Sequence, residues 1–254
     1  MNIIAYALLL STLAGLSTTI GSFLGIFVKK PGPRFMTLSL GFSAGVMILV
    51  SFVELLQRGI EVVGFASAHL AFFAGFLIMF LIDAAIPHDY MAEHISDEEK
   101  KRKINLARTG LFVALGIGIH NFPEGLATFA GTLQSLNLGI AIAVAIAIHN
   151  IPEGIAVSVP VYAATGSRKK AFLWSFLSGV AEPVGAGIAA LFLMPFLNPA
   201  LLGVILAAVA GIMVFISIDE LVPVSRSYGE EHLSIVGVVI GMLVMALSLW
   251  MFKI

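Results

Sequence analysis

Apolar residues run through this chain in long stretches parted by short polar or glycine- and proline-rich breaks. A bilayer core takes about 20 mostly apolar residues per helix, and eight stretches meet that length. They cover approximately 2–28, 35–57, 66–86, 109–131, 137–160, 170–193, 200–222 and 232–252. The pattern predicts an all-α polytopic membrane protein of eight transmembrane helices, with the whole of 1–254 as one transmembrane domain. Its longest connection, 87–108, reads PHDYMAEHISDEEKKRKINLAR, too short and too charged to hold a core of its own. The chain starts MNIIAYALLL, with no basic residues ahead of an apolar run too long for a cleaved signal peptide, so it reads as a first span.

Composition agrees with this pattern. The 254 residues are 59% hydrophobic and 11% charged, against about 45–50% and about 25% in ordinary soluble domains. So few charges cannot clothe a surface in water, and the lipid bilayer is the expected solvent. A net charge of −1 gives no field to attract nucleic acid. With no cysteine, disulfides and thiolate ligands are excluded, so any metal is held by His, Asn, Asp, Glu or backbone. Positive residues set the orientation, because loops rich in Lys and Arg stay cytoplasmic. With both termini extracytoplasmic, 12 of the 14 basic residues fall in inner loops, leaving only Arg58 and Lys253 outside.

Seven acids lie inside the apolar spans: Glu54, Asp83, Glu124, Glu153, Glu182, Asp219 and Glu220. A carboxylate at the bilayer centre costs about 2.5–3.5 kcal/mol on insertion scales. Glu124, Glu153 and Glu182 sit near the middle of the fourth, fifth and sixth spans, with no Lys or Arg at that depth. The missing counter-charge is most simply a cation.

The neighbouring residues say which kind. His120-Asn121-Phe122-Pro123-Glu124-Gly125 recurs 29 residues later as His149-Asn150-Ile151-Pro152-Glu153-Gly154. On a helix at 100° per residue, the His, Asn and Glu of each motif fall within one arc of about 100° and face one interior point. Pro123 and Pro152 lack the N–H that would bond the carbonyls of Ile119 and Ile148, opening the helix where it is buried or lines a wet cavity. Gly125 and Gly154 permit close helix approach. Glu182-Pro183 repeats the device in simpler form. Adjacent spans run antiparallel, so the duplicated motif is an inverted repeat meeting at the midplane, where transporters often hold substrate.

Imidazoles mixed with carboxylates and amide oxygens suit borderline ions such as Zn²⁺, Fe²⁺ or Mn²⁺. Seven candidate side chains exceed the needs of one tetrahedral zinc, and two adjacent positions bridged by Glu124 and Glu153 fit the count. A lone intramembrane His or Asn is commonly interhelical glue; repetition of the whole hexad favours ligation. Glu54, Asp219 and Glu220 stand near span ends, where an acid either lines an ion path or reaches the headgroups. Asp83, followed by His88, Asp89, Glu93 and His94, either receives a leaving metal or is ordinarily solvated.

At HNFPEG, HNIPEG and AEPVGA the sequence resembles the ZIP family of divalent-metal transporters, and the likeness extends to SFVELL (51–56), PVYAATGS (160–167) and AGIMVFISIDELVP (210–223). The resemblance implies that His120, Glu124, His149 and Glu153 bind the transported metal. Asn121, Asn150 and Glu182 complete a second position sharing the glutamates, and Asp83, His88, Asp219 and Glu220 lie on the exit route. It also implies a helical bundle, often a homodimer, that moves zinc toward the cytoplasm of a prokaryote across its inner membrane, with no permanently bound cofactor. No P-loop GxxxxGK[ST] is present, so the expected driving forces are metal concentration and membrane potential. The rival reading is a membrane-embedded dinuclear metalloenzyme. HNxPE, however, places Asn where the HExxH of zinc proteases has its general base.

Overall fold

The computed structural model describes residues 2–27, 32–85, 118–119, 121–196 and 198–252. Every regular element among them is helical. In chain order these are α1 (Ile3–Phe27), α2 (Pro33–Val63), α3 (Phe65–Ala85), α4 (121–134), α5 (Leu136–Thr165), α6 (Arg168–Phe196), α7 (Pro199–Ser227) and α8 (Glu231–Phe252). All except the described part of α4 are long and apolar enough to cross a membrane. Their outward faces carry large apolar side chains such as Leu70, Leu191 and Met251, each at least 70% exposed, while serines, threonines and acids are buried inside. That inversion of ordinary globular burial is what a lipid solvent dictates, and the chain is a multi-pass membrane protein.

Local signals set the helix ends. The Ser135 and Asn198 side chains accept from the backbone N–H of Leu138 (3.2 Å) and Leu201 (2.9 Å), capping α5 and α7. Gly166 ends α5 at φ 63°, a left-handed position that favours glycine. Two helix ends differ from the limits of the expected spans. The second span was expected to stop at Gln57, yet α2 continues to Val63 because Arg58 pairs with Glu54 and Glu61 along the same helix. A loop was expected from 132 to 136, but only Ser135 parts α4 from α5. Thr132 turns its hydroxyl onto the Thr128 carbonyl (2.6 Å) and stays helical and buried. The remainder of the fourth expected span, 109–117, lies outside the described residues, as does the 87–108 connection.

The helices pack in two groups. In one, α1 lies along α5 and α6, and α4 joins α6; in the other, α2 lies along α8, and α7 along α3 and the end of α2. The groups meet where α2 crosses α5. Glycines make the contacts close: a Cβ at Gly154 would overlap the backbone of Thr18, at Gly125 that of Glu182, at Gly45 that of Val238 and at Gly211 that of Phe72. Such seams replace hydrophobic driving force inside a bilayer.

With the helices in place, a second internal repeat is apparent. Residues 44–56, AGVMILVSFVELL in α2, match residues 210–222, AGIMVFISIDELV in α7. Each copy widens into one π-helical turn, Ser51–Leu55 and Ser217–Leu221. There the buried serine donates to the carbonyl four residues back, Ser51 to Met47 (2.7 Å) and Ser217 to Met213 (2.8 Å). Such bulges often mark functional segments.

Candidate metal centre

Three helices supply the site. On α4, Asn121 and Glu124 are one turn apart and share a face; α5 contributes His149, Asn150 and Glu153; α6 contributes Glu182. All six are buried, with none above 1% exposed. The prolines that follow or precede them do not break the helices: α5 runs on through Pro152 and α6 through Pro183. The Gly179 carbonyl, which Pro183 cannot engage, faces Gly15 of α1.

Glu124, His149 and Glu153 converge, each offering a ligand atom within 4.8 Å of the others. His149 Nε2 stands 3.1 Å from Glu124 Oε1. Glu182 lies within electrostatic reach of both Glu124 and Glu153. The asparagines are fixed by their NH₂ groups: Asn121 Nδ2 donates to the Ser178 carbonyl (3.2 Å), and Asn150 Nδ2 donates to the Ala14 carbonyl (3.0 Å) and to Glu182 Oε1. Their oxygens are thereby turned the other way. Asn121 Oδ1, Asn150 Oδ1, Glu124 Oε2 and Glu182 Oε2 are buried with no protein hydrogen-bond donor.

Buried acceptors lacking donors are costly unless something satisfies them. Four such oxygens belong to residues on the same three helices as the convergent Glu124, His149 and Glu153, with no lysine or arginine among the six side chains. This set offers lone pairs and negative charge to a cation. The mixed N and O donors suit a borderline divalent ion better than a hard one.

Of the seven side chains expected at the site, Glu124, His149 and Glu153 converge, Asn150 bonds Glu182, Asn121 bonds the Ser178 carbonyl, and His120 lies outside the described residues, as does His88. The span-end acids are elsewhere, and among the described residues none joins the convergent cluster. Glu54 is buried in the π turn of α2 and paired with Arg58 at 3.1 Å. Asp83 is buried near the end of α3, while Asp219 is exposed and Glu220 half-buried in the π turn of α7.

Sequence reasoning passed over the contacts that α1 and Ser43 of α2 make with the site. The Ala14 carbonyl orients Asn150, and Ser43 of α2 donates to the His149 carbonyl (3.3 Å), tying the second helix group to the site. The only trace in the sequence was the small-residue spacing of Ser11, Gly15, Thr18 and Ser22 on α1, which is one packed helix face.

Comparison with known proteins follows the same direction. Residues 85–249 match the model of a family described as ZIP Zinc transporter. The zinc transporter ZupT of Chlorobium chlorochromatii is 52% identical over 98% of both chains. The ZupT of Streptococcus mutans is 52% identical over 97% of both, and that of Clostridium perfringens is 50% identical over 99% of this chain and 98% of its own. With three helices converging on a buried His, Asn and Glu set, and relatives of this identity along nearly its full length, the chain belongs to the ZIP family, whose members are transporters and not enzymes.

Proposed function

We propose that this chain takes up divalent metal ions, chiefly Zn²⁺ and also Fe²⁺ and Mn²⁺, into the cytoplasm across the inner membrane of a bacterium. His120, Glu124, His149 and Glu153 form the primary position for the transported ion. Asn121, Asn150 and Glu182 form an adjacent one that shares the glutamates. Both termini are extracytoplasmic, a reading the distribution of Lys and Arg supports. Glu54 stands on the outer side of the centre, and Asp83, His88, Asp219 and Glu220 serve the inner route. The working unit is a homodimer.

The observation that carries this reading is the buried convergence of Glu124, His149 and Glu153, together with buried oxygens of Asn121, Glu124, Asn150 and Glu182 that have no protein donor. A captured dication gives them the partner and the positive charge that the protein withholds. A membrane potential favours its inward movement by about 2.3 kcal/mol per charge per 100 mV. The names of the relatives favour zinc as cargo.

The test is uptake of labelled zinc into proteoliposomes by the wild type, Glu124→Ala and Glu153→Ala. The wild type is expected to concentrate zinc under a negative-inside potential, and both variants to lose at least a hundredfold in rate, roughly the cost of losing an oriented ligand. Equal flux in all three overturns the assignment.

A further inference from the structure

Beside the metal centre, and separate from it, a cavity of about 640 Å³ opens between α3, α4, α6 and α7. Its walls are almost entirely apolar, formed by residues such as Ile78, Ile82, Ile119, Trp174, Leu177 and Val184. Ser178, the one hydroxyl-bearing residue among the described wall residues, spends that hydroxyl on the Ser175 carbonyl (2.8 Å). Ile78, Ile82, Leu177 and Val184 are each 40–53% exposed, so the cavity is a groove open to the surface that carries the lipid-facing side chains. Apart from Ser178, no side chain among the described wall residues carries a hydrogen-bonding group besides the Trp174 indole N–H.

The α6 wall shows the groove's shape. Trp174, Leu177, Ser178, Ala181 and Val184 recur every three or four residues, making one face of a helix. From Trp174 to Val184 this face is about 15 Å long at 1.5 Å per residue, the depth of one leaflet of a hydrocarbon core about 30 Å thick. One turn before Trp174, in phase with the same face, is Lys170, with Lys169 beside it and both exposed at the start of α6. Their positive charge therefore stands at the end of the groove that orientation by basic loops assigns to the cytoplasmic surface.

We propose that this groove binds an anionic phospholipid of the inner leaflet. One acyl chain lies along α6 from Trp174 to Val184, and the headgroup phosphate sits on Lys170 and Lys169. The match of apolar length to one leaflet argues for an acyl chain over a second protein helix, and the lysines select an anionic over a zwitterionic headgroup. The chain so held backs the metal centre, because Phe122, Pro123 and Ala181 of its walls are the sequence neighbours of Asn121, Glu124 and Glu182.

The test reads lipid binding directly and uses no zinc, so it stands or falls apart from the transport reading. The purified chain carrying Trp250→Phe, which leaves Trp174 as the sole tryptophan, is titrated with phosphatidylglycerol and with phosphatidylcholine brominated on the same acyl chain. Quenching of Trp174 is expected at lower concentrations of phosphatidylglycerol, by roughly fivefold for each lysine engaged. Lys169→Gln/Lys170→Gln is expected to quench equally with both lipids, and Ala181→Phe, which fills the groove, with neither. Native mass spectrometry of the same samples counts retained lipid, and size-exclusion profiles confirm folded protein. Lys169→Arg/Lys170→Arg keeps the charges and is expected to keep the preference. An undiminished phosphatidylglycerol preference in Lys169→Gln/Lys170→Gln overturns the proposal, as does quenching by phosphatidylcholine equal to that by phosphatidylglycerol in the wild-type groove.

Discussion

Gly125→Ala tests whether the seam between α4 and α6 sets the geometry of the metal centre. A Cβ built at Gly125 falls 2.7 Å from the carbonyl carbon of Glu182 and 2.9 Å from its Cα, with the carbonyl oxygen closer still. These are backbone atoms in the middle of a helix, so no side-chain rotation relieves the overlap. Carbon atoms regain normal contact near 3.5 Å, so α4 must move from α6 by at least roughly 0.8 Å, and further to clear the oxygen. Glu124 precedes the substituted residue and moves with it, while metal–ligand distances tolerate about 0.2 Å. Overpacking of this kind costs about 1–3 kcal/mol, and a displacement near 1 Å costs on the order of a hundredfold in a positioned reaction. The variant is expected to fold with a lowered thermal midpoint in detergent and to lose tenfold or more of its zinc uptake in proteoliposomes. Gly187→Ala is the control: it lies on α6, yet a Cβ there meets nothing within 4 Å. Replacing this helical glycine is expected to leave uptake unchanged and to raise stability by about 0.5–1 kcal/mol. If Gly125→Ala matches Gly187→Ala in both assays, the seam does not position the site.

Three further outcomes follow from the geometry. Zinc at about a hundredfold above its dissociation constant is expected to stabilise the wild type by about 2.7 kcal/mol, read as a rise in thermal midpoint that Glu153→Gln abolishes. Asn150→Ala removes the donor to both Ala14 O and Glu182 Oε1; a loss of about 1–3 kcal/mol is expected for the orphaned acceptors, and an unchanged denaturation midpoint refutes the pinning role. Arg58→Met uncouples Glu54 and Glu61 from a guanidinium that is 37% exposed; with solvent screening the pair, a stability loss of only about 1 kcal/mol is expected by thermal unfolding.

How much of this the sequence disclosed depends on where each signal resides. The eight apolar stretches were visible because lipid demands length and hydrophobicity, both local properties. The converging face of α5 was visible because His149, Asn150 and Glu153 obey helical spacing within one hexad. The extension of α2 past Gln57 was hidden, because Arg58 and Glu61 look like a span-ending polar break until they are seen to pair along the helix. The near-absence of a loop between α4 and α5 was hidden for a similar reason: Thr132 and Gln134 look like turn residues, yet both lie in the helix. Least visible of all were the backbone oxygens of Ala14 and Ser178, which orient the asparagines, since a carbonyl is common to every residue and only tertiary placement gives it a role. The π turns belong to the same class. Their shared AG-M-S-E-L pattern becomes meaningful once α2 and α7 are seen to widen at matching positions.

In the proposed site, those pinned amides account for asparagine where a fourth and fifth carboxylate would also coordinate a metal. With Glu124, Glu153 and Glu182 ionised, the three negative charges leave −1 with one dication and +1 with two, so neither state balances to zero. A transporter must hold its ion loosely enough to let it go, and neutral amide oxygens add coordination without deepening the electrostatic well. Asn150→Asp changes that balance in a readable way. It forfeits the donors to Ala14 O and Glu182 Oε1 and sets two carboxylates side by side, so the metal-free variant is expected to unfold at a lower temperature than wild type. Zinc then bridges the pair, giving a larger metal-induced rise in midpoint, a lower KM for uptake and a slower maximal rate. The ratio of Fe²⁺ to Zn²⁺ uptake is expected to change with it, as an amide oxygen gives way to a charged one. A variant with wild-type metal-free stability, KM and ion ratio would show that Asn150 does not face the transported ion.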